Sequence, residues 1–220
     1  MAGVSVIVPM FDRWDMTAQC LAALNRCGDP IELVLVDNGS TDETAGQRVQ
    51  VRNDRNRGFA VACNQGAAYA SGDVLVFLNN DTEPQPGWLA PLVAGLDRAE
   101  VAGARLTYPD GTVQHCGVDV DFTREPGAEA WGLTDDGPSR LVPAVTGACL
   151  AIERSTFWHL GGFDDGFWNG YEDVDLCLRA GRCWYAAESH VIHHESQSGP
   201  ERWTKVRENV YRLRAKWGAP

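Results

Sequence analysis

The sequence lacks an apolar run long enough to span a membrane, and no basic region precedes its first apolar segment. A membrane-spanning helix needs about 20 apolar residues, and a secretory signal peptide begins with positive charge. Lysine and arginine are also scarce, at 19 against 30 acidic residues, which gives a formal net charge of −11. That balance argues against broad, non-specific binding to nucleic acid. These absences predict a cytoplasmic protein.

Paired cysteine motifs are missing as well. The seven cysteines form no Cys-x-x-Cys pair, and most of them stand among apolar residues. An odd number of cysteines in apolar company is typical of reduced, buried thiols and disfavours a disulfide framework. A zinc site built from Cys177, Cys183, His193 and His194 is disfavoured too, because their spacing matches no zinc signature.

Neither common glycine-rich phosphate loop is present. The first strand is not followed by Gly-x-Gly-x-x-Gly, and the chain has no Gly-x-x-x-x-Gly-Lys-Ser/Thr. These loops bind phosphates through backbone N–H groups and a lysine. A nucleotide bound here therefore needs another counter-charge for its phosphates, which a metal ion would supply.

Short apolar segments alternate with helical patterns through the first half of the chain. Strands are predicted at 4–9, 31–36, 49–51, 74–78, 101–106 and 145–152, and a short strand is predicted to end at His193 and His194. Helices are predicted after Asp12 or Asp15 and at 59–70, 88–96, 153–160, 172–181 and 201–220, with a small helix before 49–51. This alternation implies right-handed crossovers and an α/β fold with a mostly parallel central sheet flanked by helices. We expect one Rossmann-like domain over 1–200, with halves 1–106 and 107–200, followed by a helix at 201–220.

Polar residues end the buried strand that starts at Val74. Asn79, Asn80 and Asp81 follow it directly, at the edge of the sheet where α/β proteins bind ligands. Hard divalent cations prefer oxygen ligands and often take only one or two carboxylates together with substrate phosphates. The alternative is that Asp81 caps a turn at the exit of the strand.

Acidic residues cluster again at the start of the helix predicted at 172–181. Glu172, Asp173 and Asp175 lie in its first turn, where the helix dipole favours negative charge. They can serve as helix caps, or one can act as a general base that takes a proton from a hydroxyl group. Trp168, just before them, can stack on a sugar ring or pack in the core.

Two further segments have open interpretations. Residues 121–140 are mostly charged residues, glycine and proline, which is typical of a mobile loop that recognises substrate or acts as a lid. Residues 201–220 hold six Lys/Arg and two Glu, with Trp203, Val206, Val210, Leu213 and Trp217 on one helical face. This helix can dock on the domain, or it can bind an anionic membrane or a partner protein.

The order of these pieces resembles glycosyltransferase family 2, inverting enzymes with the GT-A fold, and most of all its bacterial rhamnosyltransferase-like branch. The segments that carry the resemblance are 6–9, 36–42, 56–59 with Asn64, 78–81, 110–117, 146–148, 161–164, 170–176 and His193. They run in the family's order from about residue 3 to about residue 198. Any one of these segments alone is weak evidence for the family, but nine of them in the family's order are strong evidence.

The resemblance implies a role for each matching residue. Asp37 would bind the nucleobase of a nucleotide-sugar, and Asp81 would ligate Mn²⁺ or Mg²⁺ beside the diphosphate. His193 would be a further metal ligand, with His194 in reserve. Asp173 would deprotonate the acceptor hydroxyl, and Glu172 would orient the acceptor. The remaining positions implied are Pro9, Asn56, Gly58, Asn64, Asn79 and Asn80 for the nucleotide-sugar, and Gly147, Trp168 and His194 for the sugar or acceptor.

The sequence departs from the family at one important position. Asn79 stands where the Asp-x-Asp motif has its first aspartate, which lowers the negative charge of the metal site.

The resemblance implies that the donor would be a UDP- or dTDP-sugar. The acceptor would be a cell-envelope glycan by default, with a protein or a hydroxylated nucleobase as alternatives. A catalytically silent sugar-nucleotide or glycan-binding module and a nucleotidyltransferase are the competing classes. A peripheral contact with the inner face of the membrane is also predicted, through residues 201–220.

Overall fold

Strands and helices alternate along the chain in a computed structural model, which describes residues 3–194 and 205–218. The strands are β1 (Val4–Met10), β2 (Ile31–Asp37), β3 (Val51–Arg52), β4 (Val74–Leu78), β5 (Thr82–Pro84), β6 (Val101–Thr107), β7 (Val113–His115), β8 (Val118–Val120), β9 (Ala130–Gly132), β10 (Arg140–Val142), β11 (Cys149–Glu153) and β12 (Cys183–His193). The helices are α1 (Trp14–Cys27), α2 (Phe59–Tyr69), α3 (Leu89–Ala94), α4 (Arg154–His159), α5 (Glu172–Ala180) and α6 (Val206–Trp217).

The main sheet has the strand order β10-β12-β6-β11-β4-β1-β2-β3. β1 lies between β2 and β4 and is parallel to both, β3 continues the parallel set at one edge, and β12 is parallel to β6. β11 runs antiparallel between β4 and β6. The prediction of an α/β fold with a mostly parallel central sheet flanked by helices is confirmed.

The buried strands present apolar side chains to both faces of the sheet. Ile7 packs into one core cluster with residues of α2, α4, α5 and α6, whereas Val6 and Val8 pack into the other with α1 and α3. Successive side chains of a strand point to opposite faces, so a strand covered on both sides must be apolar throughout. Burying each such side chain contributes roughly 1.5–3 kcal/mol. Helices on both faces leave the strand ends as the open edge.

Several predicted boundaries differ from those observed. The small helix before β3 is a single 3₁₀ turn at Glu43–Gly46, and β3 begins at Val51 rather than at 49. β12 starts at Cys183, directly after α5, and is much longer than the short strand predicted to end at the histidines. It is long because it pairs with β6 on one side and with β10 and β5 on the other.

The segment 121–140, whose composition is typical of a mobile loop, contains a short strand. β9 lies within it and pairs antiparallel with β8, and Arg124 stacks over the ring of Trp131 in β9. Glu129 is fully buried beside Arg214 of α6. Some of the charged residues that favoured a mobile loop, such as Arg124 and Glu129, therefore make contacts within the domain.

The C-terminal helix docks on the domain, with Leu213 fully buried in a core cluster. Three of its basic residues face acidic residues of the domain: Arg212 pairs with Asp164, Arg214 with Glu129, and Lys216 with Asp164 and Asp175. Trp203, predicted on the apolar face, lies outside the described residues. Arg212, Arg214 and Lys216 of the helix thus form ion pairs within the domain. Within residues 3–194 and 205–218, no helix has the length and apolar character needed to cross a membrane.

Asp164 offers a pH-dependent test of this docking. Burial acts to raise the pKa of Asp164, but hydrogen bonds from Arg212 and Lys216 outweigh it and hold the pKa below the usual 3.8. Because the folded-state pKa is the lower one, the ion pairs stabilise the protein at neutral pH, and this stabilisation is lost as the pH falls below about 4. We expect Asp164→Asn to lower the free energy of unfolding by about 1 kcal/mol at pH 7 and by clearly less at pH 2. Urea unfolding at both pH values measures the difference.

The exposed neighbour Asp165 supplies the control for this experiment. Asp165→Asn should leave the free energy of unfolding nearly unchanged at both pH values. A deficit in Asp164→Asn that stayed constant from pH 7 to pH 2 would contradict the assignment of these ion pairs.

Candidate active site

A cleft opens at the carboxyl ends of β1 and β4, where the parallel strands leave the sheet. Open α/β sheets bind ligands at this edge. The residues that line the cleft are Pro9, Met10, Phe11, Asn38, Asn56, Phe59, Asn79, Asn80, Asp81, Thr146, Gly147, Ala148, Asn169, Gly170, Glu172, Asp173 and His193. Among these described residues there are three carboxylates and no lysine or arginine.

Asp81 and His193 face each other across one wall of the cleft. β5 pairs with β12 so that Thr82 lies opposite His193, and the backbone N–H of His194 donates to the carbonyl oxygen of Asp81 at 2.9 Å. This pairing places His193 Nε2 3.2 Å from Asp81 Oδ1. Both side chains are more than nine-tenths buried. The backbone of the sheet therefore holds a carboxylate and an imidazole at one point.

The donor set of this wall fits a divalent cation that a bound ligand helps to coordinate. Carboxylate oxygens suit Mg²⁺ and Mn²⁺, and imidazole nitrogen is a common metal ligand. In residues 3–194 and 205–218, no group of three or more His, Cys, Asp or Glu side chains is placed to hold a metal. A cation at Asp81 and His193 would thus need oxygens from a phosphate or from water to complete its shell.

The disfavoured zinc site is not assembled in the described part of the chain. Cys177 and Cys183 are both fully buried in the core. Burial first, and then the neighbouring Cys183, raises the pKa of Cys177 well above its usual value. Zinc binds the thiolate, and this environment opposes the formation of a thiolate.

Asp173 lies on the opposite wall, in the first turn of α5. Gly147, in the loop before β11, donates its backbone N–H to Asp173 Oδ2 at 2.8 Å, and the N–H of Val174 donates to Oδ1 at 2.8 Å. Two backbone N–H donors therefore fix both carboxylate oxygens at the amino end of the helix. Asp173 is thus held in a fixed orientation at the cleft surface, where a general base would stand.

The other two acids of this turn have different surroundings. Glu172 is buried and lines the cleft, and it accepts the N–H of Gly170 at 2.6 Å. Asp175 is fully buried on the far side of the helix, where it pairs with Arg179 and Lys216. The acidic cluster therefore divides: two carboxylates face the cleft and one anchors α5 and α6.

The backbone before α5 is bent in an unusual way. Asn169 and Tyr171 have φ angles of 49° and 70°, in the left-handed region that non-glycine residues rarely occupy. Asn169 Oδ1 accepts the N–H of Phe59, the first residue of α2, at 2.8 Å. Such strain persists where the surrounding structure holds it, and it concentrates at functional sites. Here it directs Gly170, Glu172 and Asp173 into the cleft.

A network of amide side chains forms the floor near β2. Asn38 donates to Asn56 Oδ1 at 3.0 Å, and the N–H of Gly58 donates to the same oxygen at 2.9 Å. Gly58 has a φ of 86°, and a Cβ atom there would lie 3.2 Å from the ring of Trp168. Asn56 and Asn38 line the cleft, while Gly58 shapes it by letting the two segments approach closely.

Asp37 is buried beneath this floor rather than in the lining of the cleft. Its Oδ1 accepts the N–H of Ser40 at 2.9 Å, and its Oδ2 pairs with the guanidinium of Arg52. The side chain is almost fully buried. Contact with a nucleobase stays a prediction for Asp37, and it would require the carboxylate to share its present partners.

Three other predicted residues lie outside the cleft lining. Asn64 uses its amide on the backbone of Phe163, in bonds of 2.8 and 2.9 Å, and so fixes the turn after Gly162. The backbone of Trp168 is held by Asn209 of α6. His194 Nε2 lies 2.8 Å from Glu83 Oε1, on the other side of the strand from His193. A contact of these three side chains with the nucleotide-sugar or the acceptor stays a prediction.

Some residues of the site were not predicted. Asn38, Thr146 and Asn169 line the cleft, and Gln114 of β7 contacts His193 from outside it. For Gln114 a signal was present, since the turn at Pro109-Asp110-Gly111 sends the chain back along β6. Asn169 carries no such signal, because its role depends on a contact with a residue 110 positions away.

Comparison with known proteins gives consistent similarities. The model of the family described as "Glycosyl transferase family 2" matches residues 5–160. The O-antigen biosynthesis protein RfbC of Myxococcus xanthus is 38% identical over 89% of this chain and 17% of its own length. An N-acetylglucosaminyl-diphospho-decaprenol L-rhamnosyltransferase of Mycobacterium tuberculosis is 30% identical over 77% of this chain and 68% of its own length.

A solved structure shares the fold. GalNAc-T7, crystallised with UDP, GalNAc and Mn²⁺, matches with a TM-score of 0.78 and 21% identity over 99% of this chain and 49% of that chain. At this identity the similarity shows the fold alone. The chain spans only about a sixth of the length of the Myxococcus relative.

Proposed function

This chain belongs to glycosyl transferase family 2, and we propose that its cleft transfers a sugar from a UDP- or dTDP-sugar to a hydroxyl group of a bacterial glycan. The observation that carries the proposal is the pairing of two walls in one cleft. One wall has Asp81 and His193 for a metal-bound diphosphate, and the other has Asp173 as a base. Because no lysine or arginine of the described chain lines the cleft, the charge of a diphosphate there needs a bound cation.

Each residue has a defined task in this reaction. Asp173 takes the proton of the acceptor hydroxyl as its oxygen forms a bond to the anomeric carbon. The bond from that carbon to the diphosphate oxygen breaks on the opposite side, so the configuration inverts. Glu172 orients the acceptor beside Asp173. Asp81 and His193 would hold Mn²⁺ or Mg²⁺, which stabilises the negative charge of the departing diphosphate when it is bound.

The names of the relatives support a lipid-linked or cell-envelope acceptor. One is a protein of O-antigen biosynthesis, and the other transfers L-rhamnose to N-acetylglucosaminyl-diphospho-decaprenol. We therefore propose a sugar carried on a lipid diphosphate, or a growing glycan, as the acceptor. A protein acceptor is the second candidate, because polypeptide N-acetylgalactosaminyltransferases of animals are also similar in sequence. A contact of residues 201–220 with a membrane or a partner protein stays a prediction.

The test is to incubate the protein with a panel of UDP- and dTDP-sugars, Mn²⁺ and lipid-linked or peptide acceptors. We expect release of nucleoside diphosphate from one donor and a product of inverted configuration by NMR. Donor binding without any release would support a silent binding module instead. Formation of a nucleotide-sugar and pyrophosphate from a nucleoside triphosphate and a sugar phosphate would identify a nucleotidyltransferase. Either result would overturn the proposal.

A further inference from the structure

We infer that Gln114 is a positioning residue, which fixes the tautomer of His193 so that Nε2 presents a lone pair to a cation at Asp81. This inference rests on the metal-bound diphosphate site proposed above. Gln114 is not among the residues that line the cleft, but it contacts His193, which is. Gln114 therefore orients His193 and determines which ring nitrogen carries the hydrogen, and it does not itself contact the reacting atoms.

Gln114 contacts His193 twice. The Oε1 atom of Gln114 lies 2.7 Å from His193 Nδ1, and its Nε2 donates to the backbone carbonyl of His193 at 3.2 Å. The second bond identifies the orientation of the amide, because only the nitrogen can donate to a carbonyl. The oxygen must then face Nδ1, and an oxygen facing Nδ1 requires a hydrogen on that nitrogen. The neutral ring is thus the Nδ1–H tautomer, with Nε2 as an acceptor.

The surroundings of Nε2 agree with this assignment. Asn79 Nδ2, an obligate donor, lies 3.4 Å from Nε2, and Asp81 Oδ1 lies 3.2 Å from it. In the neutral ring, Nε2 and Oδ1 are two acceptors that face each other without a hydrogen between them. A cation satisfies both, which is the arrangement that a metal ligand pair requires. An imidazolium that donates to Asp81 is the alternative without a metal.

The fold explains why a glutamine is in this position. β6 ends at Thr107, and both β7 and β12 pair with that end of the strand. Gln114 of β7 therefore reaches across to the last residue of β12. Metal-bound histidines usually donate their second ring nitrogen to a carboxylate, carbonyl or water, and losing that partner typically weakens metal binding about 10- to 100-fold. An amide oxygen can fill this role without adding charge.

The experiment compares wild type, Gln114→Met, His193→Ala and the double variant, with Gln50→Met as the control. Methionine matches glutamine in size and removes both hydrogen bonds. Gln50 also bonds a main-chain group, the N–H of Leu35, but lies at the exposed edge of β2 and outside the cleft. Two readouts are needed: the ¹⁵N chemical shifts of the histidine rings without metal, and Mn²⁺ affinity by EPR with UDP or dTDP present.

We expect wild type and Gln50→Met to show the Nδ1–H tautomer of His193 at a pH where the ring is neutral. Gln114→Met should lose that preference and bind Mn²⁺ about tenfold more weakly. The double variant should bind no more weakly than His193→Ala, since Gln114 acts through that ring. An Nε2–H tautomer in wild type, unchanged affinity in Gln114→Met, or additive losses would overturn the inference. The tautomer is read without metal, so a protein that bound no Mn²⁺ would refute the proposed metal site separately.

Discussion

Asp173→Asn should lower the rate of sugar transfer at least about a hundredfold while leaving nucleotide binding intact. A general base typically contributes 10²- to 10⁴-fold, and an amide cannot accept the proton. The substitution preserves the size of the side chain, and its oxygen can still accept the N–H of Gly147. Turnover of the donor and the dissociation constant for the nucleoside diphosphate, measured on the same preparation, separate the two effects.

The control for this substitution is Asp54→Asn, which changes an exposed carboxylate in the loop before Asn56. It makes the same change in net charge, so both turnover and binding should stay close to wild type. If Asp173→Asn retained turnover, the base would have to be another group, and Glu172 is the next candidate because it lines the same cleft. If binding and turnover fell together, Asp173 would be a structural residue that anchors the loop at Gly147.

Asp81→Asn should abolish the metal-dependent part of nucleoside diphosphate binding and reduce transfer at least about a hundredfold. Removing a single preorganised electrostatic contact to developing charge costs on the order of 10²–10³ in rate. Among the described residues that line the cleft, Asp81 is the one carboxylate beside His193, because Asn79 replaces the first acid of the family's motif. Calorimetric titration of UDP or dTDP, with Mn²⁺ and with a chelator, measures the loss.

The opposite change provides a matched comparison. Asn79→Asp restores a second carboxylate 3.4 Å from His193 Nε2, where the amide nitrogen of Asn79 now lies. We expect tighter Mn²⁺ binding in this variant, since an added anionic ligand favours a divalent cation. Equal Mn²⁺ affinities in Asp81→Asn, Asn79→Asp and wild type would show that the cation does not bind at this wall.

The fold could be predicted from sequence because its signals are local. The apolar segments that became β1, β2 and β4 and the helices between them are visible in short windows, and a parallel α/β sheet follows from their alternation. The strand ends then indicate where a site must lie. Asp81, after a strand, and the acidic cluster at 172–175, at the start of a helix, are predicted from such local positions. The choice of Asp173 as the base comes from the family resemblance.

The parts that could not be predicted depend on contacts between distant segments. Asn64 fits the family's motif, yet its amide bonds the backbone of Phe163, 99 residues away. The basic pattern of α6 indicates a surface helix, but Arg212, Arg214 and Lys216 find acidic partners inside the domain. The periodicity of a sequence predicts which face of a helix is buried. It does not predict which charged residues of other segments will lie beside that helix.

The most direct test of the central claim is calorimetric titration of UDP and dTDP into wild type and Asp81→Asn, each with Mn²⁺ and with chelator. We predict that wild type binds one of these nucleotides with Mn²⁺ and loses most of its affinity with chelator. Asp81→Asn should show the weak, chelator-like affinity under both conditions. Tight binding that is indifferent to both chelator and Asp81 would contradict the metal-bound diphosphate. Absence of binding by wild type to either nucleotide would contradict the assignment of this cleft as a site for pyrimidine nucleotide-sugars.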